Sequence, residues 1–154
     1  MSRLTLKTEG DKCIVVTRRF AARPEAVYRA HTDPTLVQKW LLGPEGWTMP
    51  VCICEATPRG KIRYEWANEK GAGFYLTGEF IELTPYRRIV HVERMHLPDV
   101  TPDNHVETSF EHDGTGTLMT VRMTLPDVET RTRMLSTGME RGMEASYVRF
   151  ERMI

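Results

Sequence analysis

The chain has no excess charge of either sign: 21 Lys and Arg balance 21 Asp and Glu over 154 residues. Without a net field, nothing draws it to nucleic acid or to an anionic membrane surface. Its basic residues do not interleave with aromatics as a nucleic-acid surface requires. Long apolar runs are missing, and nothing approaches the roughly 18 residues of a membrane span. Met1 to Asp11 is polar, unlike an export signal, so the expected compartment is cytoplasmic. Cysteine is scarce. Cys13, Cys52 and Cys54 are too few for a disulfide framework. Cys52 and Cys54 would point the same way on a strand, but no second Cys/His cluster follows at ligand spacing. They read as small buried side chains, with no metal and no cofactor expected. There is no G-x-S-x-G, no Cys/His pair at a recognisable spacing and no phosphate-binding glycine loop. Gly114 and Gly116 sit between strands, not ahead of a helix.

The residues present suit one domain spanning 1–154, long enough for a stable core of its own. Ile14 to Phe20 is β-branched and predicts a first strand. Pro24 and Pro34, the latter after a capping Asp33, each open a short helix. The second helix carries Leu36, Val37, Trp40 and Leu41, and ends at Gly43-Pro44. Six strands follow, over 47–55, 61–68, 73–83, 87–94, 105–110 and 117–125. They are separated by turn-forming stretches such as Thr57-Pro58-Arg59-Gly60 and Asp113-Gly114. Short connections imply an antiparallel meander. One long amphipathic helix, roughly Val128 to Arg152, closes the chain. Leu135, Met139, Met143 and Phe150 lie on its apolar face, with Glu140, Glu144 and Arg149 on the other. Gly138 and Gly142 fall in its interior, where each costs about 1 kcal/mol relative to alanine. They suggest close approach of the sheet or room for something else.

Ile62, Tyr64 and Trp66 alternate with Lys61, Arg63 and Glu65; Met119, Val121, Met123 and Leu125 alternate with Thr120, Arg122 and Thr124. One sheet face is therefore apolar and the other wet, and the closing helix is the large element available to cover it. The expected class is α+β: a curved antiparallel sheet gripping a C-terminal helix.

The stretches "RRFAARPEAVYRAHTDPTLVQKWLLGPEGW", "GEFIELTPYRRIV", "GTGTLMTVRMTL" and "TGMERGMEASYVRFERMI" resemble the SRPBCC (START-like, Bet v 1-like) superfamily. Within it, the resemblance is to bacterial homologues of activators of the ninety-kilodalton heat-shock chaperone's ATPase. It covers Arg18 to Ile154. Where many members carry Asp-x-Arg-x-Gly-Gly, this chain has Glu55-Ala-Thr-Pro-Arg59-Gly60, so no role passes to those residues. The resemblance implies a helix-grip fold and a cavity between sheet and long helix for apolar molecules.

Trp40, Trp47, Tyr64, Trp66, Phe74, Phe80, Met119, Met123, Met139 and Met143 are the candidates to line that cavity, or equally to fill a core. Trp40 and Trp47 flank the Leu41–Gly46 turn and are expected to staple the short helices to the open end of the grip. His91 and Glu93 share one side of their strand. If they face inward they can bind a ligand or move a proton; if Val90 and Val92 face inward, the pair is solvated. His31, His96, His105 and His112 read as surface residues of helix ends and turns. The leading expectation is a non-enzymatic protein that binds a small apolar or amphipathic molecule, as a monomer or homodimer. The alternatives are a cyclase- or aromatase-like enzyme using His91, Glu93 or Tyr64, and an interaction protein that contacts a chaperone.

Overall fold

A computed structural model describes residues 3–154. An eight-stranded antiparallel sheet runs in the order β1-β2-β8-β7-β6-β5-β4-β3. These strands are β1 (Thr5–Glu9), β2 (Cys13–Phe20), β3 (Trp47–Cys54), β4 (Lys61–Asn68), β5 (Gly73–Thr84), β6 (Arg88–His96), β7 (Asn104–Asp113) and β8 (Gly116–Thr124). Helices α1 (Pro24–Thr32) and α2 (Pro34–Trp40) follow β2, while α3 (Val128–Leu135) and α4 (Met139–Glu151) follow β8. The chain makes the helix grip that its alternation requires. Proline opens α1 and α2, and the Asp33 carboxylate accepts from Thr35 N at 2.9 Å to cap α2.

Two features correct the sequence reading. Strand β1 was not expected: its Thr-Leu-Lys-Thr-Glu has little apolar content, yet it pairs with β2 from Thr5↔Thr17 to Glu9↔Cys13. The closing helix is two helices. Ser136 and Thr137 hydroxyls donate to the Arg133 and Met134 carbonyls at 2.7 and 2.6 Å, tying up the last turn of α3. Gly138 then adopts φ +81°, a left-handed conformation in which a Cβ is strained, and α4 restarts. Helix α3 buries none of its residues, whereas α4 buries Ser146, Tyr147 and Phe150.

The core lies between the concave face and α4. Ile14, Val16, Phe20, Met119, Val121, Met123, Val106 and Phe110 come from the sheet, and Tyr147 and Phe150 from the helix. Phe20 meets both helix aromatics edge-on at 5.5 and 5.2 Å. At the far edge, β3 contains Pro50 and shifts register between Thr48 and Val51. At the near side, Arg18 points inward with its side chain fully buried. It donates to both Glu144 oxygens at 3.1 and 3.0 Å, and also to Glu151 and to Arg19 O. Glu144 was expected on the wet face of the helix. It turns instead toward β2, because the buried guanidinium needs a carboxylate partner.

Candidate functional site

The strand registers set the concave face in rows. Tyr64, Leu76 and Met95 form one row; Ile62, Gly78, Glu93 and Asn104 the next; Phe80, His91, Val106, Met123 and Ile14 a third. Gly78 has a specific reason to be glycine, since a Cβ there would meet the Val92 carbonyl oxygen at 2.2 Å. The same position puts no side chain between Ile62 and Glu93.

These rows settle the orientation left open by the sequence: His91 and Glu93 face inward. His91 Nε2 donates to Glu93 Oε1 at 2.7 Å, with the two side chains 17% and 23% exposed. The His91 ring also meets Phe80 edge-on at 6.3 Å. Its Nδ1 is buried and has no protein partner. Asn104, across the ladder from Glu93, is 3% exposed, and neither its Oδ1 nor its Nδ2 has a protein partner. Buried polar atoms are nearly always paired, so three unpaired ones on adjacent strands mark a place where something polar belongs.

Around this pair the walls are aromatic and sulfurous. Tyr64 is 8% exposed; burial first, then the neighbouring cysteines and Glu93, hold its hydroxyl well above the ordinary phenol range. Burial likewise raises Tyr147 on α4, with Glu93 among the charges adding to the effect. Burial pushes the Cys52 thiol up to about 11, leaving it protonated and a poor nucleophile. Among the described residues, no three His, Cys, Asp or Glu side chains are grouped to hold a metal ion.

The candidate lining divides in two. Trp40, Phe80, Met119 and Met123 are buried in the core, Trp40 at 2% exposure with its indole N–H donating to Ala30 O at 2.9 Å. Trp47, Trp66, Phe74, Met139 and Met143 are half-buried. Trp66 stacks on Phe74 at 5.0 Å, Phe74 meets Trp47 at 5.3 Å, and Trp66 donates to Leu41 O at 2.8 Å. The two tryptophans flanking the turn thus part company: Trp40 anchors the interior and Trp47 joins an aromatic run at the rim. The turn between them is fastened to α4. Gly43 N donates to Ser146 Oγ at 2.8 Å, and Arg149 donates to Gly43 O at 2.9 Å.

Of the other histidines, His31 and His96 are less exposed than the sequence reading expected. His31 is not a surface residue: its ring packs against Trp40 at 4.9 Å and Phe110 at 5.4 Å, and Nδ1 donates to Val27 O at 2.7 Å. Burial, helped by nearby His91 and opposed by the Val27 carbonyl, lowers it to about 4. His96 ends β6, stacked on Tyr75 at 4.1 Å and bonded to the Thr77 hydroxyl. His105 and His112 are exposed, as expected; both lie on β7, His105 within the strand expected over 105–110 and His112 beyond its expected end. Asn104 was missed because the strand was begun at His105. Starting it one residue earlier puts Asn104 in phase with Val106, Thr108 and Phe110.

No helix among the described residues is long and apolar enough to cross a membrane. The chain is similar to a solved protein from Rhodobacter sphaeroides at 27% identity, covering 98% of this chain and 97% of that one, with a TM-score of 0.89. A protein from Mycobacterium smegmatis matches at 18% identity, over 97% and 95% of the two chains, with a TM-score of 0.87. One from Nitrosomonas europaea matches at 20% identity, over 94% of each, with a TM-score of 0.81. The last two likenesses are of fold. No curated protein matches the chain. The family model described as "Activator of Hsp90 ATPase homolog 1-like protein" matches residues 21–154, and to that family, within the START-like superfamily, this chain belongs.

Proposed function

We propose that the protein binds a small amphipathic molecule inside the grip, between the concave sheet face and α4. The apolar body lies against Tyr64, Trp66, Met95, Met139 and Met143, and the polar end reaches the His91–Glu93 pair. The observation that carries this reading is the inward, hydrogen-bonded His91–Glu93 pair among largely apolar walls, with His91 Nδ1 free of any protein partner. The fold family commonly binds hydrophobic ligands, which supports the same reading. So does the half-buried apolar collar, since pockets combine apolar walls with a few placed polar groups. The protein acts as a binder, in the cytoplasm, without a cofactor.

Native mass spectrometry of protein purified without added ligand, followed by solvent extraction, tests this. The expected result is a stoichiometric added mass that extracts as one chemical class. A bare-chain spectrum together with no change in tryptophan emission across a panel of amphipathic molecules would sink the reading.

A further inference from the structure

Deepening that reading, and resting on it, we infer that the polar end of the ligand is an uncharged group that both donates and accepts hydrogen bonds, of the primary-amide or lactam kind, and that Asn104 reads it. Three observations meet here. Asn104 is 97% buried on the concave face, with carboxamide oxygen and nitrogen both unpartnered. Glu93 stands directly opposite it on β6, and His91 is its diagonal neighbour one row down. Gly78, on the far side of Glu93 in the same row, adds no side chain of its own, so Glu93 has no polar partner from that strand position.

The balance of donors and acceptors selects the class. His91 gives its Nε2 proton to Glu93, so in the neutral ring Nδ1 is an acceptor. Asn104 adds one acceptor, Oδ1, and two N–H donors on Nδ2. Glu93 has further acceptor capacity. The interior therefore offers more acceptors than donors, and an entering group has to bring N–H bonds. A primary amide does so: its carbonyl accepts from Asn104 Nδ2, and its NH2 donates to Asn104 Oδ1 and to His91 or Glu93. A carboxylate brings no donor and sets a second negative group beside Glu93, in surroundings where desolvation makes like charge costly. An alcohol supplies one donor, which cannot serve both Asn104 Oδ1 and His91 Nδ1, so one buried acceptor stays unpaired, which carries its own penalty.

Four eight-carbon molecules differing only at the polar end test this: octanamide, octanol, octylamine and octanoate, titrated at pH 7.5 into 15N-labelled full-length protein. The chain has two asparagines, Asn68 and Asn104, and one glutamine, Gln38, so the side-chain amide region is simple, and Asn104→Leu assigns the pair of interest. Octanamide is expected to shift the Asn104 NH2 pair and to bind at least about ten-fold more tightly than octanoate. Glu93→Gln is expected to shrink that preference. Octanoate or octylamine binding as tightly as octanamide overturns the inference while the binding function stands. So does octanamide binding that leaves the Asn104 pair unmoved, which would mean that fixed water meets the Asn104 amide. If none of the four moves the resonances of Tyr64, Trp66 or Asn104, the proposed function fails, and this inference with it. The wild-type series needs no variant to fold.

Discussion

Arg18 and Glu144 form a two-point ion pair that joins β2 to α4, with the guanidinium fully buried and the carboxylate 17% exposed. Glu144 Oε1 also accepts from Leu4 N at 3.0 Å, so one carboxylate serves the strand, the helix and the N-terminal segment together. Removing Glu144 leaves the buried guanidinium with Glu151 as its remaining carboxylate and its Nε and second terminal N–H groups without partners. Glu144→Ala is therefore expected to destabilise the fold by about 1–3 kcal/mol, more than a surface charge change would. Pairing it with Arg18→Met should recover much of the loss, since the desolvated charge is then gone. Urea unfolding of both variants checks this, and an unchanged midpoint for Glu144→Ala contradicts it.

Trp40 and Trp47 separate stability from access. Trp40→Ala empties a fully packed position and breaks the bond to Ala30 O, so it should cost about 3–5 kcal/mol. Trp47 is half-buried and reaches only the rim, so its removal should cost about 1 kcal/mol. Denaturant midpoints decide between them, and equal losses would mean that the rim is as closely packed as the interior.

His31 makes stability depend on acidity. Its folded value of about 4 lies below the ordinary 6.5. Between those values the unfolded chain takes up a proton that the folded chain refuses. Stability is thus complete above about pH 6.5 and falls as the pH drops toward 4, by up to about 3 kcal/mol. His31→Phe keeps an aromatic ring against Trp40 and Phe110 without a titrating group. Melting of both proteins from pH 7.5 to 4.5 should show a smaller fall in the variant, and parallel curves would remove His31 as the cause.

Gly138 and Gly142 should respond to alanine with opposite signs. Gly138 sits at φ +81°, so Gly138→Ala strains the break between α3 and α4 and should cost about 1 kcal/mol. Gly142 is helical, with nothing within 4 Å of an added Cβ, so Gly142→Ala should add about 0.4–1 kcal/mol. Thermal melts of the two variants should move in opposite directions. A destabilised Gly142→Ala would show that the helix needs that space.

The order of strands and helices was legible because turn residues and two-residue alternation are local signals. Lys61–Asn68 was bounded correctly on alternation alone. The broken closing helix was not, because Ser136 and Thr137 look helical in an apolar period, and the stop rests on their hydroxyl bonds to the preceding turn and on the left-handed Gly138. Inward placement of His91 and Glu93 depended on register with Phe80 and Asn104, a property of neighbouring strands and not of β6 itself. Glu144 and His31 defeated the reading for the opposite reason. Each is polar and lies at a position that local pattern assigns to solvent, and each is held inside by a partner far away in the chain or across a helix.

Pro50 and the register slip in β3 bear on how the molecule avoids its own kind. A sheet that stops without closing leaves a row of backbone groups at its margin, a template for another copy to extend. Strand β3 is one of the two margins, β1 being the other, and there Pro50 has no N–H to offer while the slip between Thr48 and Val51 bends the line of donors and acceptors. A ninth strand laid along β3 would lose its hydrogen bonds midway. Side-by-side polymerisation is thus discouraged at the very edge that lies beside the rim aromatics.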